Sequence, residues 1–136
     1  MTRAVLDTNV LVAAAYNPAS ASRQLVEACL RGELTAVLSE ALRREYKLII
    51  ARAVRGNSYA GRLRQLLDQA AVVEPAQTPR VVPDDPEDDK LVAAALAADA
   101  VLVSNDRHLL AVHGQHGLRV MRPGDLVQLQ RERDPR

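Results

Sequence analysis

The chain is nearly without aromatic side chains: three tyrosines, no phenylalanine and no tryptophan among 136 residues. Modules that grip single-stranded nucleic acid by stacking its bases gain about 1–3 kcal/mol per base from such rings. Recognition of the RRM or cold-shock type is therefore disfavoured. Charge of one sign is scarce too, because eighteen basic residues face seventeen acidic ones and the net charge is +1. A nucleic-acid partner, if there is one, must be held through phosphates, a metal ion or shape. The single cysteine, Cys29, excludes an internal disulfide, as a reducing cytoplasm predicts. No apolar run approaches the roughly 18 residues of a membrane span; the longest is Leu91 to Ala98. The apolar stretch Val10 to Ala15 follows Asp7, where a signal peptide would carry basic residues. The expectation is a soluble, cytoplasmic protein with no membrane association.

What is present is ordinary globular material, 48% apolar and 26% charged, in a length that suits a single domain over residues 1–136. Leu, Val, Ile and Ala must fill its core, which implies closely packed helices. Short apolar runs read as strands: Arg3 to Leu6, Leu34 to Leu38, a short one at Val72 and Val73, Val101 to Val103, and Leu118 to Met121. Helical patterns lie between them. Ser20 or Ser22 caps one that carries Leu25, Val26, Cys29 and Leu30 and stops at Gly32. Ser39 opens a long one with Leu42, Tyr46, Ile49, Ile50 and Ala53 on one face, broken at Gly56-Asn57-Ser58 and followed by another through Leu63, Leu66, Leu67 and Ala70. Pro75, Pro79 and Pro83 mark an extended connector, and Asp85-Pro86 starts a helix with the stripe Leu91, Val92, Ala95 and Leu96. A short helix at Arg107 to Val112 and a last one at Pro123 to Arg131 complete the pattern, while Asp7-Thr8-Asn9 reads as a loop or helix cap. Strands alternating with helices predict an α/β fold, a three-layer α/β/α sandwich around a central parallel sheet.

In such a sheet ligands bind at the carboxyl ends of the strands. Asp7 ends the first strand, and Asp106, after Ser104 and Asn105, ends the strand at Val101 to Val103. Glu45 lies three residues after Leu42 and four before Ile49, on the apolar face of its helix and off the face carrying Arg43, Arg44 and Lys47. Asp88 heads the inward stripe of the next helix, and Asp89 is rotated from it by about 100°. Carboxylates converging on one site repel one another unless a cation neutralises them. Hard oxygen ligands select Mg²⁺ or Mn²⁺ over zinc, and such an ion suits phosphodiester hydrolysis.

These residues form a familiar series. Val5-Leu6-Asp7-Thr8-Asn9-Val10-Leu11, Ser39 through Glu45-Tyr46, Asp85-Pro86-Glu87-Asp88-Asp89-Lys90-Leu91, and Leu102-Val103-Ser104-Asn105-Asp106 through Leu109-Leu110 resemble, in order and spacing, the motifs of PIN-domain proteins. The likeness runs from about Val5 to Leu126 and is nearest to the toxin components of bacterial toxin–antitoxin modules. The resemblance implies a Mg²⁺- or Mn²⁺-dependent ribonuclease, an antitoxin partner that blocks the site, and a homodimer. Asp7, Glu45, Asp88 and Asp106 match the family's metal-binding acids; Thr8 or Asn9, and Ser104, match supporting polar positions. His108 stands where the family often has another acid, so a one-metal or Mn²⁺-preferring site enters the expectation.

Charge by position fits an RNA substrate. Arg43 to Arg64 holds seven basic residues against the single acid Glu45, whereas five of the six residues from Asp84 to Asp89 are acidic. The basic arm, with Arg43, Arg44 and Lys47 at its head, can hold a phosphate backbone without stacking. Each feature also has a plainer reading: Asp7 and Asp106 as helix caps, Glu45 as a boundary residue reaching solvent, the acidic cluster as a complement to the helix dipole, and the basic run as a solvated face. Tyr46 and Tyr59 read as packing residues, Cys29 as buried filler, and His113 and His116 as a turn without a third metal ligand. Two other functions compete. A haloacid dehalogenase type of phosphotransferase needs an acid where Asn9 stands. A catalytically weak or inactive PIN-like domain would bind RNA or protein without cutting.

Overall fold

The computed structural model describes residues 2–75 and 86–133. Pro79, Pro83, Asp84 and Asp85, which carry the expected connector and helix start, lie outside the described residues. Among the described residues, five parallel strands form the sheet: β1 (Arg3–Leu6), β2 (Thr35–Leu38), β3 (Ala71–Val72), β4 (Val101–Val103) and β5 (Arg119–Met121), in the order β3-β2-β1-β4-β5. Seven α-helices of the described residues accompany them: α1 (Thr8–Tyr16), α2 (Ala21–Leu30), α3 (Glu40–Ala53), α4 (Ala60–Gln69), α5 (Pro86–Ala98), α6 (Arg107–Leu110) and α7 (Pro123–Arg133). The expected parallel α/β architecture is observed.

One helix differs from the sequence reading. Thr8–Tyr16, read as a loop or cap leading into an apolar stretch, is a full helix. It lacks an amphipathic signature because Val10, Leu11, Ala14 and Ala15 are all buried, and a helix covered on most sides has no polar face to reveal its period. The other starts follow local chemistry. Ser20 Oγ accepts from Arg23 N at 3.0 Å to open α2, and Ser39 Oγ accepts from Leu42 N at 3.2 Å to open α3. Gly32 ends the α2 turn at φ +83°, a conformation only glycine takes without strain.

The strand order decides where a site can form. From β1 through β2 to β3 the chain moves one way across the sheet; from β3 to β4 and on to β5 it moves the other way. Right-handed crossovers then put α1 to α4 on one face and α5 and α6 on the other. Accordingly α5 packs on β1, β2 and β4, and α7 packs on α2. The reversal falls between β1 and β4, which pair Leu6 with Val103 at their carboxyl ends. In open α/β sheets ligands bind outside the strand ends at such a switch point. The elements that meet there are well packed: Val101, Leu102 and Val103 are buried, as are Leu91 through Ala95 of α5. Buried leucines of this kind each contribute about 1.5–3 kcal/mol, and the small alanines let the helix lie close to the sheet.

Candidate active site at the carboxyl end of the sheet

Asp7 is the first residue past β1, and its backbone N donates to Val103 O at 3.0 Å, extending the ladder past the last residue of β1. It occupies the N-cap position of α1, yet its side chain makes no capping bond. Instead Ser104 Oγ donates to Asp7 Oδ2 at 2.7 Å, and Thr8 Oγ1 contacts Oδ1 at 3.3 Å. The residue is only 5% exposed, and Ser104 is fully buried. A buried carboxylate that leaves its helix end uncapped is a candidate for chemistry. Asn9, the third supporting position, is the exposed second residue of α1.

Ser104 does two jobs. Its Oγ also accepts from Asp106 N at 2.9 Å, so one hydroxyl joins the loop after β4 to the acid after β1. Asp106 itself is half-buried, and its Oδ1 accepts from His108 N at 2.8 Å, capping α6. The plainer reading of Asp106 therefore holds in part: one oxygen is a cap. His108 is largely exposed, with Nδ1 at 3.6 Å from the same Oδ1.

Glu45 reaches this end of the sheet on α3. The next residue, Tyr46, is buried and donates its hydroxyl to Leu6 O at 2.6 Å, which pins α3 to the last residue of β1. Burial and then the negative charges of Asp7 and Glu45 raise the ionisation of that phenol well above its ordinary range, so it stays a neutral donor. Both carboxylates thus lie within electrostatic reach of one hydroxyl. Glu45 is half-buried and ion-paired with Lys90 of α5, a contact across 45 positions that no local pattern announces.

Asp88 and Asp89 reverse the expected order of burial. Asp89 is 6% exposed, whereas Asp88 is half-buried with its Oδ2 out of solvent. The 100° rotation carries Asp89 away from the stripe but not to water, because α5 is covered on nearly every side along Leu91 to Ala95. The donors are all carboxylate and hydroxyl oxygens, a chemistry suited to a hard divalent cation. Among the described residues, no three of His, Cys, Asp and Glu stand close enough in this conformation to form a finished coordination set.

The basic arm is divided. Arg44, Lys47, Arg52, Arg55 and Arg64 are exposed, and Lys47 and Arg64 line a cavity of about 350 Å³ between α3 and α4. Arg43 is half-buried beside Glu40, 3.7 Å away. Arg62 is committed to Glu27 at 2.8 Å, and Tyr59 donates to the same carboxylate at 2.5 Å. The Arg62 and Tyr59 bonds hold Glu27 below its ordinary pKa. Tyr59 packs under the Arg23 guanidinium, 3.6 Å from its ring centre, and is not available to stack on a base. Cys29 is buried, which pushes its thiol up to about 12. His113 accepts from Val120 N through Nδ1 at 2.9 Å, a structural bond in the turn.

Comparison with known proteins agrees with the fold. Two solved structures share the fold. VapBC2 from Rickettsia felis, bound to a DNA fragment from their promoter, matches at 14% identity over 89% of this chain and 98% of that one, with a TM-score of 0.62. PAE2754 from Pyrobaculum aerophilum matches at 18% identity over 96% of this chain and 98% of that one, with a TM-score of 0.63. No curated protein matches the sequence. The family model described as PIN domain matches residues 3–108, a span that runs from β1 through the acid loop after β4. The chain belongs to the PIN domain family.

Proposed function

We propose that the protein is a ribonuclease that depends on Mg²⁺ or Mn²⁺ and serves as the toxin of a toxin–antitoxin pair. PIN domains are in general nucleases that use divalent ions. The observation that carries the reading is Asp7: a buried carboxylate at the switch point, not spent on its helix and oriented by Ser104. Asp7, Glu45, Asp88 and Asp106 are the residues that would hold the cation. When bound, it supplies Lewis-acid stabilisation of charge on a phosphate oxygen.

The remaining roles belong to the chain itself. Ser104 keeps Asp7 and the Asp106 loop in register through two hydrogen bonds. Tyr46 keeps α3, and with it Glu45, against the end of β1. Arg43, Arg44 and Lys47 hold the RNA backbone through its phosphates, so affinity falls steeply with salt. The lone Cys29 fits a reducing, cytoplasmic location. An antitoxin partner and a homodimer are supported by the sequence resemblance, and the VapBC2 neighbour supports the partner.

The test is cleavage of mixed RNAs with Mg²⁺ and with Mn²⁺ by the wild type and by Asp7→Asn and Asp88→Asn. Cleavage by the wild type alone is expected. Variants that cut as well as the wild type would remove the assignment. His108, exposed beside Asp106 where the family often has an acid, favours a second reading, a PIN-like module that binds RNA or protein without cutting. A wild type that neither cuts RNA nor takes up Mn²⁺ in a calorimeter supports that one.

A further inference from the structure

The acidic end of the sheet carries a cation of its own. Lys90, in the second turn of α5, places Nζ on Glu45 Oε1 of α3. The two helices come from opposite faces of the sheet, so the pair closes over its carboxyl end, beside β1, where Tyr46 anchors α3 on Leu6. Glu45 is 23% exposed and Lys90 38% exposed, which leaves the ammonium a path to water.

We propose that Lys90 is an internal counter-cation: it neutralises Glu45 while no divalent ion is bound, and an ion that takes Glu45 as a ligand must displace it. The proposal rests on the assignment of Glu45 to the cation site. Its physical basis is the crowding of like charge. A half-buried carboxylate near other carboxylates is costly without a neutralising partner, and the chain supplies one from the adjoining helix. The residue type suits a partner that leaves. A lysine ammonium is a compact point charge on a flexible stem, whereas an arginine would bind the carboxylate with a two-pronged, more rigid fork. Lys90 thus lets the domain fold before it is loaded and sets how much cation is needed to load it.

This role makes two effects of one substitution run in opposite directions. Lys90→Met keeps the apolar stem and removes the charge. In chelator its melting temperature falls by about 2 °C, the scale of one partly exposed ion pair. Its Mn²⁺ affinity rises by about three- to tenfold, because no positive charge competes for Glu45. Lys90→Arg shifts the affinity the other way. In the Lys90→Met/Glu45→Gln double variant, the loss of stability in chelator is smaller than the sum of the single losses.

The measurement is Mn²⁺ titration calorimetry on these proteins and on Asp7→Asn, with thermal unfolding in EDTA alongside. Lower stability without the ion together with tighter binding of it is the expected result. Mn²⁺ affinity that is unchanged or weaker in Lys90→Met overturns the proposal, since a surface pair gives the first outcome and a residue that merely positions Glu45 gives the second. These leave the cation site standing, provided that Asp7→Asn loses binding. A wild type that takes up no Mn²⁺ removes the site and the proposal with it.

Discussion

The two ends of the sheet carry opposite charge, and their charges do different work. At the amino end, Arg3, Arg119 and Arg133 line a cavity of about 680 Å³ together with Thr2 and Asp99. It is a roomy opening, but its arginines are occupied. Arg3 Nη1 donates to Ala98 O at 3.2 Å and Arg119 Nη2 donates to Asp99 O at 2.9 Å. Both cover the carboxyl terminus of α5, where unpaired carbonyls and the negative end of the helix dipole favour cations. At the carboxyl end, Asp7 stands at the start of α1 and could have played the mirror-image role. It does not, because its carboxylate turns to Ser104. A charge bonded to its own helix end is structural, and one at a helix end but bonded elsewhere is a candidate for chemistry. Asp106 shows the intermediate case, with one oxygen on the cap. Cavity size points to the amino end, whereas the uncommitted carboxylate points to the carboxyl end.

The sharpest way to break this contrast is to substitute one residue from each end. Asp7→Asn should lower RNA cleavage by at least about 100-fold, while its melting temperature stays close to the wild type because the amide oxygen still accepts from Ser104. Arg119→Ala should leave the cleavage rate unchanged; an equal loss in both variants would erase the distinction. Tyr46→Phe deletes the 2.6 Å bond to Leu6 O, and urea unfolding should register a loss of about 1–2 kcal/mol. Cleavage should fall less than in Asp7→Asn, since α3 is loosened and no carboxylate is removed. Arg3→Ala removes one bond and one favourable charge at the end of α5, and unfolding should show a loss of about 0.5–1 kcal/mol.

The smallest effect belongs to neither end. Glu27, held by Arg62 and Tyr59, has a folded pKa below its ordinary 4.5. Its contribution to stability is complete above pH 4.5 and is lost as pH falls through the lower folded value. The pair with Arg62 is partly exposed to solvent and screened by it, so a few tenths of a kcal/mol at most are expected. Glu27→Gln should be less stable than the wild type at neutral pH, by a difference that shrinks as pH falls below 4.5; a difference that appears only in acid would contradict the sign.

Much of the scaffold was legible because each strand is a short apolar run stopped by polar residues. Helices with one solvated face were legible too, as the serine caps of α2 and α3 show. Where burial surrounds an element, pattern fails. For that reason Asp7-Thr8-Asn9 reads only as a loop or helix cap and the full length of α1 is not legible, and Asp89 reads as the outer of the pair although it is the more buried. The third strand is placed at Ala71–Val72, one residue earlier than Val72 and Val73 suggested, a shift within the ordinary uncertainty of strand ends.

By itself the sequence determined which acids are present, their order, and that at least Asp7 and Asp106 leave parallel strands on one side, since a strand's end is written in its local pattern. Only the tertiary structure decided which charges are already used. Lys90 reaches Glu45, Tyr46 reaches Leu6, and Ser104 reaches Asp7 across a separation of 97 residues. Such bonds depend on how helices and strands pack around the switch point, and no periodicity of 2 or 3.6 residues encodes them.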